Sequence, residues 1–277
     1  MARVVGYSGN VYVSTLVVEN CEDTWDEQVI ANVTDTSDTV DYKVGNASAK
    51  FDIAAIFGLG IVGSEVIAPG TLAAYTALWC WAKSSETTVA IDDYRILIDN
   101  AANCANPEVE FSLPILTANV WKFCFLTRVL GTWGAANLPI SIGLERMAND
   151  PGVLTYFWLD HIVAGTEVVG IREWSIDVAA GVVDSTGFSD GQDKVFTVVQ
   201  KEWSGSFSGF KDGAPLAIGT NVAIELMEAE VALPGPSTAA WRGQAVVTNV
   251  KPASSVDGVV QYAYDFQGIY GLEWPTT

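Results

Sequence analysis

The stretch Thr166-Glu-Val-Val-Gly-Ile-Arg-Glu-Trp-Ser-Ile-Asp-Val178 decides the organisation of this chain, because it continues a pattern that begins at the N-terminus. Residues 1–13, Met-Ala-Arg-Val-Val-Gly-Tyr-Ser-Gly-Asn-Val-Tyr-Val, predict a short β-hairpin that stops at Val13. The residues between the two stretches predict a second β-module. We therefore expect an outer domain of residues 1–16 and 163–277, interrupted at one loop by an inserted domain of residues 17–162.

Strand signals dominate the whole chain, and amphipathic helical segments with caps are almost absent. Alternating or wholly apolar runs of strand length are separated by Gly, Pro, Asn and Asp, which is typical of sandwiches and barrels. The predicted fold class is therefore all-β, a sandwich or barrel module interrupted by a second sandwich. The predicted strands are residues 10–18, 49–56, 77–82, 93–98, 121–129, 140–144, 153–163, 168–178, 196–199, 202–210, 221–228, 240–250 and 258–267, with a hairpin turn at Asp257-Gly258.

The chain is acidic, with 33 Asp and Glu against 14 Lys and Arg and a net charge of −19. Residues 17–162 contain 19 acidic and 7 basic residues, and the outer parts contain 14 and 7. Such a surface repels phosphates, so sequence-specific nucleic-acid binding is excluded, although acidic walls suit a conduit along which DNA slides. The longest apolar run, residues 53–63, is too short to cross a bilayer and no secretion signal is present, so we expect no membrane partner.

The cysteines and the single histidine predict no metal or catalytic site. Cys21, Cys80, Cys104 and Cys124 have no metal-binding spacing. They predict buried free thiols of a protein made in a reducing cytoplasm, with one disulfide as the alternative. His161 lies in a predicted strand and is interpreted as a packed or surface residue, so no zinc site is predicted.

Two glycine motifs match enzyme fingerprints without the context that the chemistry needs. Gly58-Leu-Gly60-Ile-Val-Gly63 matches the dinucleotide-binding GxGxxG motif, but Pro69-Gly70 ends any helix that would hold the pyrophosphate, and no acid stands at the ribose position. Gly187-Phe-Ser189-Asp-Gly191 matches the GxSxG motif of serine hydrolases, but His161 lies upstream and no helix follows. We interpret the first motif as a loop of a β-domain, and we predict no catalytic residue, cofactor-binding residue or metal ligand.

Acidic pairs and tryptophans are the other candidates for ligand sites. Asp92-Asp93, Glu22-Asp23 and Asp26-Glu27 contain residue types that suit acid–base or calcium chemistry. Neighbouring carboxylates on a strand point to opposite faces, so these pairs predict solvated acidic loops. A sugar-stacking platform is the alternative to a core role for several tryptophans, and the core role is favoured because two of them share one strand face. The tryptophans concerned are Trp79, Trp81, Trp121, Trp133 and Trp158.

Five segments of residues 168–277, in order, resemble one known family. They are Ile171-Arg-Glu-Trp174-Ser-Ile-Asp, Val183-Asp184-Ser-Thr-Gly187-Phe-Ser-Asp190, Glu202-Trp203-Ser-Gly205-Ser-Phe-Ser-Gly209, Trp241-Arg-Gly243-Gln-Ala-Val-Val-Thr248 and Asp257-Gly-Val-Val-Gln-Tyr-Ala-Tyr-Asp-Phe-Gln267-Gly268. On these segments the chain is similar to the tail-tube proteins of long-tailed bacteriophages. Residues 1–13 resemble the first strands of the same family, so the resemblance covers nearly all of the outer module.

The resemblance implies a structural role in a virion and no enzymatic activity. Tail-tube proteins form hexameric rings whose sheets join into a continuous β-barrel, and the rings stack into a tube. Pairing edge strands between subunits converts an aggregation hazard into assembly. The family has a short helix that covers the sheet, whereas residues 212–220 are barely long enough for one helical turn.

Residues 17–162 resemble jelly-roll modules, among them carbohydrate-binding domains. The first and last strands of such sandwiches are neighbours, so both ends of the module lie close together, as an insertion into one loop requires. The resemblance implies sugar binding and a structural calcium between the first and last strands, with Glu19 and Asp160 as candidate ligands. The segments that carry it are Val17-Val-Glu19-Asn, Tyr42-Lys-Val-Gly45-Asn-Ala-Ser48-Ala-Lys-Phe51, Leu78-Trp-Cys-Trp81-Ala-Lys and Phe157-Trp-Leu-Asp160.

We therefore expect the major tail-tube subunit of a virion, made in the host cytoplasm. Its partners would be further copies of itself, other virion proteins and, through an outward-projecting jelly roll, neighbouring subunits or host surface glycans. No cofactor is expected beyond the calcium that the resemblance leaves open. Two alternatives stand beside this prediction, a capsid decoration or cement protein and a carbohydrate-binding adhesin module of the virion.

Overall fold

The computed structural model of the protein describes residues 8–27, 31–132, 138–148, 151–185, 194, 196–210, 214–227, 240–254 and 260–275. Regular structure within these residues is almost entirely β-strand, and the helical part is one 3₁₀ turn, Ala102–Cys104. The predicted all-β fold class is therefore confirmed. The predicted turn at Asp257-Gly258 and residues 1–7 lie outside the described residues.

The described residues divide into two compact units. Unit 1 contains those of residues 1–11, 168–232 and 237–277, and unit 2 contains those of residues 12–167. The boundaries predicted after residues 16 and 162 both fall inside strands, Ser8–Glu19 and Thr155–Glu167, which pair with each other. The first hairpin was predicted to stop at Val13, and this is wrong because the strand continues to Glu19. The assignment of separate outer and inserted domains stays a prediction.

Unit 2 consists of two antiparallel sheets that share one strand. Its strands are β1 (Ser8–Glu19, from Tyr12 onwards), β2 (Asp26–Glu27), β3 (Val33–Asp38), β4 (Ser48–Ile53), β5 (Gly60–Val66), β6 (Ala77–Ser84), β7 (Tyr94–Asp99), β8 (Val109–Ser112), β9 (Lys122–Gly131), β10 (Ser141–Arg146) and β11 (Thr155–Glu167). One sheet has the order β3-β4-β11-β6-β9, with β1 on the end of β11, and the other has the order β9-β8-β7-β10-β5-β2. Strand β9 belongs to both, because residues 122–126 pair with β6 and residues 127–131 pair with β8.

The two sheets of unit 2 enclose one hydrophobic core. Phe51 and Leu78 enter it from the first sheet, and Ile96 and Leu144 enter it from the second, all fully buried. Burying a side chain of this size contributes about 1.5–3 kcal/mol. Strand β6 is buried along its whole length, so both faces of this central strand are covered.

A β-bulge in β11 shifts the alternation of that strand by one residue. Phe157 and Leu159 face the core before the bulge, and Ile162 and Ala164 face it afterwards. His161 takes up the extra residue with a φ of +51°, in the left-handed region that few non-glycine residues adopt. The bulge therefore allows β11 to line the core over most of its length.

The described part of unit 1 is one antiparallel sheet. Its strands are residues 8–11 of β1, β12 (Ile171–Asp184), β13 (Phe196–Phe210), β14 (Asn221–Met227), β15 (Ala240–Ser254) and β16 (Val260–Gly268). Their order is β12-β13-β16-β15-β14-β1. Side chains on one face of this sheet form a second hydrophobic cluster, which includes Trp174, Trp203, Phe207 and Phe266.

Candidate functional site

The sheet of unit 1 has one apolar and one polar face, because side chains alternate along each strand. Rows of laterally paired residues run across its four long strands in the order β12, β13, β16 and β15. Two apolar rows are Trp174–Phe207–Tyr264–Val250 and Ile176–Gly205–Phe266–Val247. Three rows of the polar face are Asp177–Ser204–Gln267–Val246, Ser175–Ser206–Asp265–Asn249 and Glu173–Ser208–Ala263–Lys251.

Side chains of the polar face contact one another across the strands. The hydroxyl oxygens of Ser175 and Ser206 lie 2.9 Å apart. Asp265 accepts a hydrogen bond from Asn249 Nδ2 at 3.0 Å and pairs with Lys251 Nζ at 2.6 Å. The hydrogen bond from Lys251 is the main cause that lowers the pKa of Asp265 below its usual value. The three rows thus contain three carboxylates, those of Glu173, Asp177 and Asp265, and one ammonium group, that of Lys251.

Strand β12 is an edge of the sheet within the described residues, since it pairs with β13 alone. Residues 178–184 of β12 pair with residues 196–203 of β13 beyond Ser204, where the pairing of β13 with β16 ends. We call this two-stranded extension the ribbon. The backbone N–H and C=O groups along such an edge are a template for a strand from another chain.

The segment that would correspond to the covering helix of tail-tube proteins forms a bend and a turn in its described part, residues 214–220. Its backbone is fixed to the sheet by three hydrogen bonds. Leu216 N donates to the Tyr264 hydroxyl at 3.3 Å, Gly219 N donates to Val247 O at 2.8 Å, and Val247 N donates to Thr220 O at 2.9 Å. This stretch of backbone therefore packs on the sheet without a helix.

The tryptophans considered for a sugar platform are largely covered. Trp79, Trp81 and Trp158 are 0%, 3% and 8% exposed, and Trp121 is half-buried. The core interpretation of Trp79 and Trp81 is therefore confirmed, and Trp133 lies outside the described residues.

The loop between β3 and β4 covers the outer side of β6 and β11. Asp38 accepts a hydrogen bond from Trp158 Nε1 at 3.0 Å, and Asp41 accepts one from Trp121 Nε1 at 2.6 Å. Lys83 forms an ion pair with Asp41, and its Nζ lies 4.5 Å from the centre of the Trp158 ring. One face of that indole is therefore occupied by an ammonium group of the same chain, which leaves it unsuited to stack on a sugar.

Glu19 and Asp160, the candidate calcium ligands, bind backbone groups of the chain. Asp160 Oδ2 accepts hydrogen bonds from the N–H groups of Lys43 at 2.6 Å and Val44 at 2.9 Å, and Glu19 Oε1 accepts one from Cys21 at 2.9 Å. Burial raises the pKa of Asp160 to about 6. Among the described residues, no group of three or more His, Cys, Asp and Glu is placed to hold a metal ion. These residues therefore do not fit the calcium that the resemblance implies.

The two glycine motifs have different outcomes. Residues 54–57 form a turn, and Gly60 begins strand β5, so the interpretation of Gly58 to Gly63 as a loop is wrong from Gly60 onwards. The strand that a dinucleotide site needs before its glycines is absent from this described stretch. Gly187, Ser189 and Gly191 lie outside the described residues, so the exclusion of a hydrolase there stays a prediction.

Burial lowers the pKa of the half-buried His161.

All four cysteines are free and buried, as predicted. Cys80 and Cys124 are cross-strand neighbours in β6 and β9. Burial raises the pKa of the Cys80 thiol well above its usual value, and it raises the pKa of Cys104 to about 11. These thiols are therefore poor nucleophiles at neutral pH.

The acidic pairs have local structural roles. Asp92 accepts a hydrogen bond from Arg95 Nε at 2.7 Å, and this bond lowers the pKa of Asp92. Asp93 is only 6% exposed and accepts the N–H of Ala90 at 2.6 Å, so the prediction of a solvated loop is wrong for it. Asp23 is exposed, as predicted.

A buried polar cluster in unit 2 was not found from the sequence. Arg146 Nη2 donates to Glu86 Oε1 at 2.9 Å, Arg146 Nε donates to the Tyr94 hydroxyl at 2.9 Å, and that hydroxyl donates to Glu86 Oε1 at 2.5 Å. Both charged side chains are 1% exposed. The two residues are 60 positions apart, so no local pattern signals their pairing. The cluster pairs Glu86 Oε1 with Arg146 and Tyr94 and leaves Glu86 Oε2 buried without a hydrogen-bond partner among the described residues, and at 1% exposure its two charged side chains are closed to a substrate.

The comparisons with known proteins give weak likenesses. No protein-family model and no curated protein matches the chain. A chain in the tail of an empty gene transfer agent particle with C6 symmetry is 17% identical, with a TM-score of 0.30, over 40% of this chain and 87% of that chain. A chain in the virion of a native gene transfer agent has the same identity and TM-score over 40% of this chain and 89% of that chain. A chain of botulinum neurotoxin type C is 7% identical, with a TM-score of 0.23, over 94% of both chains. TM-scores this low do not support assigning this chain to a family or a role. Within the described residues, no helix is long and apolar enough to span a bilayer.

Proposed function

We propose that this chain is a non-enzymatic virion structural protein, the major tail-tube subunit that forms stacked hexameric rings of a DNA conduit, with unit 2 as an outward-projecting jelly roll. The observation that carries the proposal is the edge of unit 1. Strand β12 has 14 residues, and within the described part of the chain its outer side pairs with no strand. Ring closure would pair such an edge with the sheet of a second copy and satisfy its backbone groups.

The polar face of unit 1 supports the conduit part of the proposal. Its described rows combine serine, glutamine and asparagine with the carboxylates of Glu173, Asp177 and Asp265. A face of this kind, turned towards a lumen, repels the phosphates of DNA, and its three described rows contain no aromatic side chain on which bases could stack. DNA would therefore slide past it without binding.

Two neighbouring substitutions in β12 test the edge. Adjacent N–H groups of a strand point to opposite sides, so one of Ala179→Pro and Ala180→Pro removes an N–H that faces β13, and the other removes one that faces the open edge. Purified wild-type protein should form hollow tubes under the electron microscope. The edge-facing proline should abolish tubes while leaving the unfolding free energy within about 0.5 kcal/mol of wild type.

The other proline variant is the matched control. It should lose stability by about 1 kcal/mol or more, because it removes a hydrogen bond of the β12–β13 ladder. Tubes that form normally with both variants would contradict edge pairing. Discrete trimers that bind only expanded capsids would instead support a decoration protein, and glycan-dependent retention would support an adhesin.

A further inference from the structure

Two of the buried cysteines stand directly opposite each other on neighbouring strands of unit 2. Cys80 in β6 pairs with Cys124 in β9, and residues 78–82 pair with residues 122–126 without a shift in register. Both side chains belong to the hydrophobic core of unit 2, so they point to the same face of the sheet. Directly opposed residues of an antiparallel pair have Cα atoms about 4.5–5.5 Å apart. A disulfide needs about 4.4–6.8 Å, so the backbone at this position is already spaced for the bond.

The two thiols also contact each other. After burial, a side-chain hydrogen bond with Cys124 is the largest cause that raises the pKa of the Cys80 thiol. The thiol of Cys124 donates to Lys122 O at 3.5 Å, within its own strand. Both sulfur atoms therefore lie between β6 and β9, where one bond can join them.

Aromatic pairs on the opposite face of the same two strands hold the cysteines in place. Trp79 stacks on Phe125 with the ring centres 5.9 Å apart, and the ring centres of Trp81 and Phe123 are 5.5 Å apart. These two cross-strand pairs are the immediate neighbours of the cysteine pair in the ladder. Such pairs stabilise a ladder, so the two strands keep their spacing at the cysteines and little conformational freedom is lost when the bond forms.

The other two cysteines are less suited to a disulfide. Cys104 ends the 3₁₀ turn, and its Sγ lies 3.3 Å from Ser141 Oγ in the second sheet of unit 2. Cys21 follows the end of β1, outside the ladder of β6 and β9, and it raises the pKa of Cys80 less than Cys124 does. Cys21 is therefore the competing partner of Cys80, and Cys124 is the favoured one.

We propose that Cys80 and Cys124 are an oxidation site, at which a low-molecular-weight disulfide produces a cross-strand disulfide once the chain leaves a reducing compartment. The thiolate of one cysteine attacks a sulfur of the small disulfide and releases one small thiolate. The thiolate of the other cysteine then attacks the protein sulfur of the mixed disulfide and releases the second one. Each released thiolate takes up one of the two protons that the cysteines lose, so two protein thiols and one small disulfide give one protein disulfide and two small thiols.

Burial makes this oxidation slow and its product durable. Both cysteines are 0% exposed, so a small disulfide reaches them only when β6 and β9 separate locally. After the strands close, reductants are excluded from the bond in the same way. The bond ties β6 to β9, the strand that both sheets of unit 2 share, and a tie of this kind stabilises a fold by restricting the unfolded chain. The proposed function supplies only the surroundings, because a virion leaves the reducing cytoplasm.

Thiol counting on the wild-type protein tests the site. The protein is purified with a reductant, incubated with oxidised glutathione, and then unfolded in guanidinium with N-ethylmaleimide, which blocks the remaining thiols. We expect mass spectrometry to show two of the four cysteines blocked. The reaction should be at least tenfold faster in urea just below the unfolding midpoint, because local opening limits it. Trypsin leaves each cysteine on its own peptide, and we expect the third and the fourth of these to stay unlinked and linked respectively, the link joining the second to the fourth: residues 4–43, 51–83, 96–122 and 123–128.

Two variants provide the controls. Cys104→Ala should still form the bond, and Cys124→Ala should keep its three thiols free. The oxidised wild type should melt about 5 °C or more above the reduced protein, and the same treatment should not shift Cys124→Ala. Four blocked cysteines both with and without urea, a bond between Cys80 and Cys21, or a mixed disulfide as the end product would overturn the oxidation site. An unchanged melting temperature would overturn its stabilising role. Tube formation tests the proposed function separately, and none of these results decides it.

Discussion

The two units differ in how completely each one buries the faces of its sheets and pairs the backbone groups of its strands. In unit 2 the two sheets face each other across one core, and the central strand β6 is covered on both sides. Within the residues that the structure describes, unit 1 is a single sheet that buries one face, leaves the polar face to solvent, and ends in the edge strand β12. A unit that buries its own surfaces needs no partner, whereas an open edge beside a wet face is suited to assembly. This difference is the reason why we propose unit 1 as the part of the chain that assembles with other copies.

The largest expected effect lies in the buried cluster of unit 2. Arg146→Met leaves the carboxylate of Glu86 buried without its cation, which should cost about 3–5 kcal/mol of unfolding free energy. The measurement is urea denaturation followed by tryptophan fluorescence. The control in unit 1 is Lys251→Met, whose ion pair with Asp265 is largely exposed and should cost about 1 kcal/mol or less.

The double variant Arg146→Met/Glu86→Met separates charge burial from packing. It should recover much of the stability that Arg146→Met loses, because no charge then stays buried without a partner. A double variant as unstable as the single one would show that the loss of stability comes from altered packing and not from an unpaired buried charge.

The next effect depends on pH and concerns Asp160. Its pKa in the folded protein is about 6, above the value of about 3.9 in an unfolded chain. The stabilising contribution of this group is therefore present below about pH 4 and is lost as the pH rises through about 6. Asp160→Asn keeps an acceptor for the N–H groups of Lys43 and Val44 and does not ionise. We expect it to be more stable than wild type at pH 8 by up to about 3 kcal/mol and to show a smaller fall in stability between pH 4 and 7. Equal pH profiles of the two proteins would contradict this assignment.

A third test compares a close contact that occurs in both units, in which a glycine lies against a tryptophan ring. A Cβ on Gly165 would lie 2.3 Å from Trp79 Cη2, and a Cβ on Gly268 would lie 2.0 Å from Trp203 Cε2. Gly165→Ala and Gly268→Ala should each lose about 1–3 kcal/mol by overpacking. Thermal unfolding measures both. Gly271→Ala is the control, because a Cβ there meets no atom within 4 Å.

The smallest effect on stability concerns the polar face of unit 1. Asp177→Arg/Ser204→Arg should lower the unfolding free energy by about 1 kcal/mol or less, because both side chains are on the solvated face and the two guanidinium groups stand directly opposite each other. Assembled tubes of this variant should retain DNA in a salt-dependent way, and wild-type tubes should not. The control is Thr34→Arg/Thr36→Arg, which adds two positive charges at exposed positions of β3 in unit 2, against a charge change of three in the variant of the polar face. Equal retention by both variants would mean that the polar face does not line the conduit.

Most strands could be predicted from the sequence, because alternation is a local property. Each predicted strand overlaps an observed one, although residues 196–199 and 202–210 belong to the single strand β13. Strands β2, β3, β5 and β8 were not predicted. Strand β3, Val-Thr-Asp-Thr-Ser-Asp, has one apolar residue, and β5 contains two glycines. Both form because neighbouring strands supply hydrogen-bond partners, which their own side chains do not reveal.

The candidate ligand sites depended on long-range contacts and were harder to predict. Trp158 was open to a role as a sugar platform, but Lys83 and Asp38 cover its indole from distant parts of the chain. Asp160 was a candidate calcium ligand, but one of its two carboxylate oxygens, Oδ2, accepts hydrogen bonds from the backbone of Lys43 and Val44. The sequence around Trp158 and Asp160 gives no indication of either contact.

By itself, the sequence determined the all-β class, the buried free thiols and the alternating side chains that make one face of unit 1 apolar and the other polar. These features follow from residue type and a period of two, which act over a few residues. Only the tertiary structure decided that β12 is an edge, that the ribbon extends beyond β16, and that Arg146 pairs with Glu86. Strand order, edge exposure and charge pairing depend on which distant segments meet, and that depends on burial and hydrogen bonding across the whole fold.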